Sequence, residues 1–316
     1  MMLSNVTRYP NSGFTLIELS VILVTIGLVM GGIVTGLHLI DTSSQQAQIT
    51  QINKYTAAVN LFETKYNGYL PGDLPDPYAT QYGFQSRGSY TGEGDGDGEL
   101  QGNCHNTSGD NNHFNTGCGE LAVFWQDLST AGLIDTQVGT GTCLPNTTGG
   151  VGNGCNIDLK HTPGVKDWLP TAKLGNGNFV YKWSANKINY FAVSSVTSIG
   201  NSIQGGNNPG ITVQQAYNID NKIDDGLPQS GDVTACYVNY NIKNFAAIYA
   251  AGNSNLGANN GQYNTGAGDV WCTPTTAAVF PANTDCFGNN NFPGTMQYSV
   301  SANGNAQNCA LSFKLQ

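Results

Sequence analysis

Three groups of residues in this 316-residue chain have the types and spacing to do chemistry. The first is Glu93-Gly94-Asp95-Gly96-Asp97-Gly98-Glu99, where carboxylates alternate with glycines. Carboxylate oxygens suit a hard divalent cation such as calcium, and glycine lets the backbone close tightly around it. The second is a set of eight cysteines, 104, 118, 143, 155, 236, 272, 286 and 309, all beyond residue 100. The third is Glu18, the one charged side chain in the apolar run of residues 14–40.

Each group has a competing reading. The acidic run follows D-x-D-x-D-G with Glu93 in first place, so Glu93, Asp95, Asp97 and Glu99 form the expected calcium set. It departs from an EF-hand loop where that loop needs a bidentate glutamate, because Cys104 stands there and no helix pattern flanks it. Glu120 is a candidate distant ligand, and the alternative is a solvated acidic turn that binds nothing. A second acidic group, Asp220 with Asp224 and Asp225, reads as turn chemistry. An even cysteine count in an exported, loop-rich region reads as disulfides. Proximity in sequence favours Cys104–Cys118, Cys143–Cys155 and Cys272–Cys286, which leaves Cys236 with Cys309. A zinc site of Cys104, His105, His113 and Cys118 is the weaker reading, since its spacing lacks a C-x₂₋₄-C knuckle.

Glu18 poses the sharper question. A helix over residues 14–40 exceeds the ~30 Å hydrocarbon thickness of a bilayer, and a charge in lipid costs several kcal/mol unless it is paired. No cation lies nearby in the sequence. A cut before Phe14 would create an α-amino group at the head of this helix, and a first-turn carboxylate also suits the helix dipole. Arg8 before the segment, with Lys54 the first basic residue after it, places the short tail in the cytoplasm and the bulk of the chain outside.

Gly13-Phe14-Thr15-Leu16-Ile17-Glu18 followed by an apolar run resembles the prepilin peptidase signature, and the chain resembles type IV pilins and type II secretion pseudopilins. Looser likenesses to large members of this group lie at Tyr55–Asp76, at Phe124–Leu128 with Ala131–Ile134, and at Ile223–Pro228. The resemblance implies cleavage between Gly13 and Phe14 by a prepilin peptidase, methylation of the new Phe14 amine, and pairing of Glu18 with the Phe14 amine of a neighbouring subunit. It also implies a single-pass bacterial inner-membrane protein with its head in the periplasm, moving into a pilus or pseudopilus and onto the cell surface on assembly. Calcium sites occur in some pseudopilin heads.

These residues need elements to position them. After Ile40 the pattern turns amphipathic: Ile49, Ile52, Val59, Phe62 and Tyr66 form a helical stripe, with Gln45, Gln46, Gln48, Gln51 and Asn53 on the remaining surface. Asn67-Gly68 and Pro71-Gly72 stop the helix. Gly27, Gly31, Gly32 and Gly36 are points where it can bend. Further on, a helix is expected over Glu120–Ala131, a hairpin over Asn178–Trp183 and Ile188–Ser194, and a short helix capped by Thr212. Strands are expected at Val233–Tyr240, Gln297–Val300 and Ala310–Leu315. Helix first and strands later, without a βαβ rhythm, predicts an α+β, pilin-like fold: a long N-terminal helix carrying a disulfide-rich, mainly antiparallel β head. The expected organisation is a leader (1–13), a transmembrane segment (14–40), an amphipathic continuation (41–67) and a globular head (68–316).

Composition narrows the function. The chain has 41 glycines, only 10% charged residues and a net charge of −9. Its two arginines, Arg8 and Arg87, exclude the clustered basic surface that nucleic acid needs. No G-x-S-x-G, H-E-x-x-H or G-x-x-x-x-G-K-[ST] occurs, so the chain reads as a non-enzyme. The expected role is a structural filament subunit whose partners are other pilin or pseudopilin subunits. The alternative is a minor or tip subunit acting as an adhesin, with Tyr263, Trp271 or Tyr298 on loops that bind a glycan or a surface.

Overall fold

The structure is a computed structural model, and it describes residues 13, 15–88, 91–102, 119–136, 138, 141–144, 154–157, 164–185, 187–198, 206–208, 210–238, 270–271, 286–288 and 297–315. The chain divides into two compact units, 1–44 and 45–316, with the boundary inside the first helix.

Helix α1 runs Leu16–Lys65 without a break, straight through Gly27, Gly31, Gly32 and Gly36. It is long and apolar enough to cross a membrane, and its first half carries exposed side chains such as Leu16, Leu23, Leu28, Met30, Leu37 and Ile40. Asn67 takes a left-handed φ of 59°, Gly68 one of 85°, and Gly68 N donates to Glu63 O at 2.8 Å. This six-to-one bond is the Schellman closure that an Asn-Gly pair favours.

In the second unit, α1 buries Ile49, Ile52, Tyr55, Val59 and Phe62, the expected stripe. It also buries Gln45, Gln48 and Gln51, against the expectation that the glutamines lie on the surface. The reason is a strand-like segment beside the helix. Lys173 N donates to Gln48 Oε1 at 2.7 Å, and Gln51 Nε2 donates to Thr171 O at 2.9 Å. These amides pair peptide groups that burial would otherwise leave unsatisfied.

The remaining helices are α2 (Tyr78–Gln81), α3 (Gly119–Thr130), α4 (Val213–Ile223) and α5 (Val300–Asn303). Thr212 caps α4 through a reciprocal box with Gln215, which settles where that helix starts. Two small pairs stand apart: β1 (Gly141–Leu144) with β2 (Gly154–Ile157), and β9 (Phe287–Gly288) with β10 (Gln297–Tyr298). The latter is shorter than expected because Val300 opens α5 instead of continuing the strand. The main sheet contains β3 (Asn178–Ala185), β4 (Ile188–Ser198), β7 (Val233–Val238), β8 (Val270–Trp271) and β11 (Gln307–Lys314). Its order is β3-β4-β11-β7-β8, with β5 (Gly206–Asn208) on β4 and β6 (Ile211–Thr212) on β11. Every pairing among the described residues is antiparallel, so the fold is α+β as expected.

Helices α1 and α3 cover one face of this sheet. Trp125 stacks on Phe191 at 5.8 Å and meets Tyr55 edge-on at 4.8 Å, joining α3, β4 and α1. Each such aromatic contributes about 1.5–3 kcal/mol through burial.

Cys286 and Cys309 lie with their Cα atoms 5.2 Å apart. In the β7–β11 pair Cys236 stands opposite Ala310, and Cys309 stands opposite Tyr237. Cys143 and Cys155 are direct register partners in the β1–β2 pair. Cys104, Cys118 and Cys272, with His105 and His113, lie outside the described residues.

Candidate functional site

The head of α1 is built by a local motif. Thr15 N donates to Glu18 Oε2 at 2.8 Å, Thr15 Oγ1 donates to the same oxygen at 2.9 Å, and Glu18 N donates back to Thr15 Oγ1 at 3.3 Å. This reciprocal arrangement is a capping box, and its T-x-x-E spacing was present in the sequence. Glu18 therefore has hydrogen-bond donors in its own chain, supplied by an uncharged residue. Both capping bonds that the carboxylate accepts fall on Oε2. Gly13 is exposed one residue before Phe14, and Phe14 lies outside the described residues.

The glycine-rich acidic loop is organised from outside itself. Gly92, Gly94, Gly96 and Gly98 all take left-handed φ values, between 76° and 94°. That conformation turns successive N–H groups inward, and two carboxylates remote in sequence receive them. Asp73, just past the end of α1, accepts from Gly96 N at 2.7 Å on Oδ1 and from Gly98 N at 2.9 Å on Oδ2. Glu120, in the first turn of α3, accepts from Gly94 N at 2.9 Å on Oε1 and from Gln101 N at 2.7 Å on Oε2. Both carboxylates are buried, at 1% and 0% exposure.

The four expected ligands do not converge as a set. Asp95 is exposed and joins Asp73 and Glu120: the three offer oxygens that all lie within 4.8 Å of one another. Asp97 Oδ1 accepts from Glu99 N at 2.8 Å, and Glu99 Oε1 accepts from Lys187 N at 3.1 Å. Glu93 is buried against Gly88, where any added Cβ would collide with its carboxylate. Glu120, which the sequence offers as a distant member of the cluster, is one of the three. Asp73 was missed, and its sequence signal is thin: an acidic residue set between Leu70 and Leu74, both of which are buried.

The electrostatics follow from the burial. Desolvation pushes Asp73 up to about 7, with Asp95 and Asp97 adding repulsion against the opposing Gly98 and Gly96 hydrogen bonds. Burial also raises Glu120 well above its ordinary value, and Asp73 raises it further. Asp97 rises for the same reasons, burial first.

The second acidic group has the turn chemistry expected of it, with one addition. Asp225 Oδ1 accepts from Leu227 N at 2.8 Å, and Asp224 Oδ2 accepts from Val233 N at 3.0 Å. The buried Asp220 accepts from Gly226 N at 3.0 Å and from Tyr298 Oη at 2.7 Å. Tyr298 is therefore a core residue and not a loop aromatic facing a ligand. Trp271 belongs to β8, and Tyr263 lies outside the described residues.

No family model, curated protein or solved structure matches this chain.

Proposed function

We propose that the chain is a structural subunit of a type IV pilus or type II secretion pseudopilus. It is made as a precursor with a leader (1–13), inserted in the inner membrane by the first half of α1, and trimmed between Gly13 and Phe14. The observation that carries this reading is the coincidence of three features at one point: Gly13-Phe14, a Glu18 in the first helical turn, and the unbroken exposed apolar surface of α1 that follows.

The physical mechanism is polymerisation. Extraction from lipid leaves apolar side chains that only neighbouring helices can cover in a water-surrounded filament. The new Phe14 amine supplies a cation for Glu18 of an adjacent subunit, and because both capping bonds use Oε2, such a contact need not dismantle the cap. The head remains outside, held by a disulfide framework of its eight cysteines, and forms the filament surface.

The test is the mass of the chain's N-terminus isolated from cells with an active prepilin peptidase. A chain beginning at methylated Phe14 is the expected result. An intact Met1 on the membrane-inserted protein would refute the reading.

A further inference from the structure

Asn67-Gly68 and Asn176-Gly177 are both exposed Asn-Gly pairs. Their φ values are left-handed throughout, 59° and 85° in the first pair and 53° and 70° in the second. An asparagine before glycine carries a built-in reaction. The glycine nitrogen, unshielded because its residue has no Cβ, can attack the asparagine Cγ and close a five-membered imide.

The two pairs differ in what holds the reacting groups. Gly68 N is engaged in the 2.8 Å bond to Glu63 O, and Asn67 Nδ2 donates to Tyr82 Oη at 3.3 Å. Both the nucleophile and the leaving amide of that pair must break a hydrogen bond before they react. The second pair forms the centre of a tight turn, in which Asn178 N donates to Gly175 O at 2.9 Å. Two left-handed central residues closed by this bond make a type I′ turn, whose third residue donates nothing to the turn itself. Gly177 O accepts from Val196 N at 3.2 Å. Gly177 N and the Asn176 side chain make no hydrogen bond among the described residues.

We propose that Asn176 is a site of spontaneous deamidation, left open by the same fold that shields Asn67. Gly177 N bonds to Asn176 Cγ as the Cγ–Nδ2 bond breaks, and ammonia leaves with the proton that Gly177 N gives up. Water then opens the imide. Attack at Cγ gives aspartate, and attack at the Asn176 main-chain carbonyl gives isoaspartate. No oxidant or reductant takes part. Both products add a negative charge, and isoaspartate also adds one carbon to the main chain of the turn. That lengthening acts where β3 begins: Asn178 O accepts from Ala172 N at 2.9 Å, and Asn178 Nδ2 donates to Gly175 O at 2.9 Å and Gly210 O at 2.8 Å. The proposal does not rest on the filament reading, since the turn lies in the head whether or not the chain polymerises.

The experiment ages the full chain in detergent at mildly alkaline pH, beside the same chain unfolded in guanidinium. Conversion at Asn67 and Asn176 is followed by peptide mass mapping that resolves isoaspartate from aspartate. Dividing each site's unfolded rate by its folded rate cancels the influence of the preceding residue. Folding should slow Asn67 at least about tenfold more than Asn176, the factor that one hydrogen bond of ordinary net strength supplies. Equal slowing at the two sites, greater slowing at Asn176, or no conversion of Asn176 in the folded chain would overturn the proposal.

Discussion

Arg87 Nη2 lies 2.5 Å from Asp127 Oδ2, and neither side chain reaches solvent. Asp127 Oδ2 also accepts from Gly72 N at 2.7 Å, and Arg87 Nε donates to Leu74 O at 3.0 Å. One ion pair on α3 thus ties down both the turn after α1 and the segment leading into the acidic loop. Breaking a buried pair leaves an uncompensated charge, which costs about 3–5 kcal/mol. Arg87→Met and Asp127→Leu should each destabilise the chain by that order, measured by urea unfolding monitored through tryptophan fluorescence. A loss near zero would mean that the pair does not hold the turn.

Lys182 presents the opposite case. It lies on β3, 1% exposed, with Nζ 5.3 Å from the Phe124 ring centre and 5.4 Å from that of Trp125. Burial pulls its pKa well below the ordinary lysine value. Contact with two aromatic faces returns only part of the cost of taking the ammonium out of water. Replacing it with an apolar side chain of like length should therefore stabilise. We expect Lys182→Met to raise stability by about 1–4 kcal/mol near neutral pH, the range found when buried charges give way to well-packed apolar groups. The wild type should gain stability as pH rises toward about 10, because the folded amine binds its proton less tightly than the unfolded one. Lys182→Met should lose that slope in Tm measured across the same range.

What the sequence made legible was local. The stripe of α1, the helix opening at Gly119 and the Thr212 cap are set by spacings of three or four residues, and the β3–β4 hairpin by alternation on either side of a tight turn. Glu18 is legible as a charge in an apolar run, and its cap by Thr15 lies in the same T-x-x-E spacing. Pairings across long sequence separations stayed hidden. The insertion of β11 between β4 and β7 places the chain's end in the middle of the sheet, and no local pattern encodes that. Asp73 and Glu120 hold a loop 19 or more residues away in sequence, and no local spacing links Asp73 to it. Gln48 and Gln51 read as surface because their partners, the peptide groups of Lys173 and Thr171, leave no mark in side-chain composition.

The capping box at the head of α1 allows a sharper test of Glu18 than removal of the side chain. Glutamine at the third helical position completes a capping box nearly as well as glutamate, but carries no charge. If Glu18 serves only the helix terminus, Glu18→Gln should be silent. If it pairs with a neighbouring Phe14 amine, Glu18→Gln should leave processing and membrane insertion intact while incorporation into sheared filaments falls tenfold or more. The measurement is the ratio of filament-borne to membrane-borne chain, and equal ratios for variant and wild type would remove the ion pair from the assembly mechanism.

Asp220 and Tyr298 predict a pH dependence for the far side of the head. Burial pushes the Asp220 carboxyl up to about 7, with Asp225 and Asp224 adding repulsion against the opposing Tyr298 and Gly226 hydrogen bonds. An unfolded aspartate titrates near ~3.9, so the folded state binds this proton more tightly. The resulting stabilisation is complete below about 4 and is lost as pH rises through about 7. Asp220→Asn keeps an oxygen for the Tyr298 hydroxyl and removes the titration. Its Tm should fall less steeply than that of the wild type between about pH 4 and 7, since the Asp73 cluster is the same in both chains and contributes equally to each. The slope decides the matter and not the absolute Tm, since the variant also loses an acceptor for Gly226 N. Parallel slopes would show that Asp220 keeps an ordinary acidity despite its burial, with a charge on Asp220 tolerated beneath Tyr298 at neutral pH.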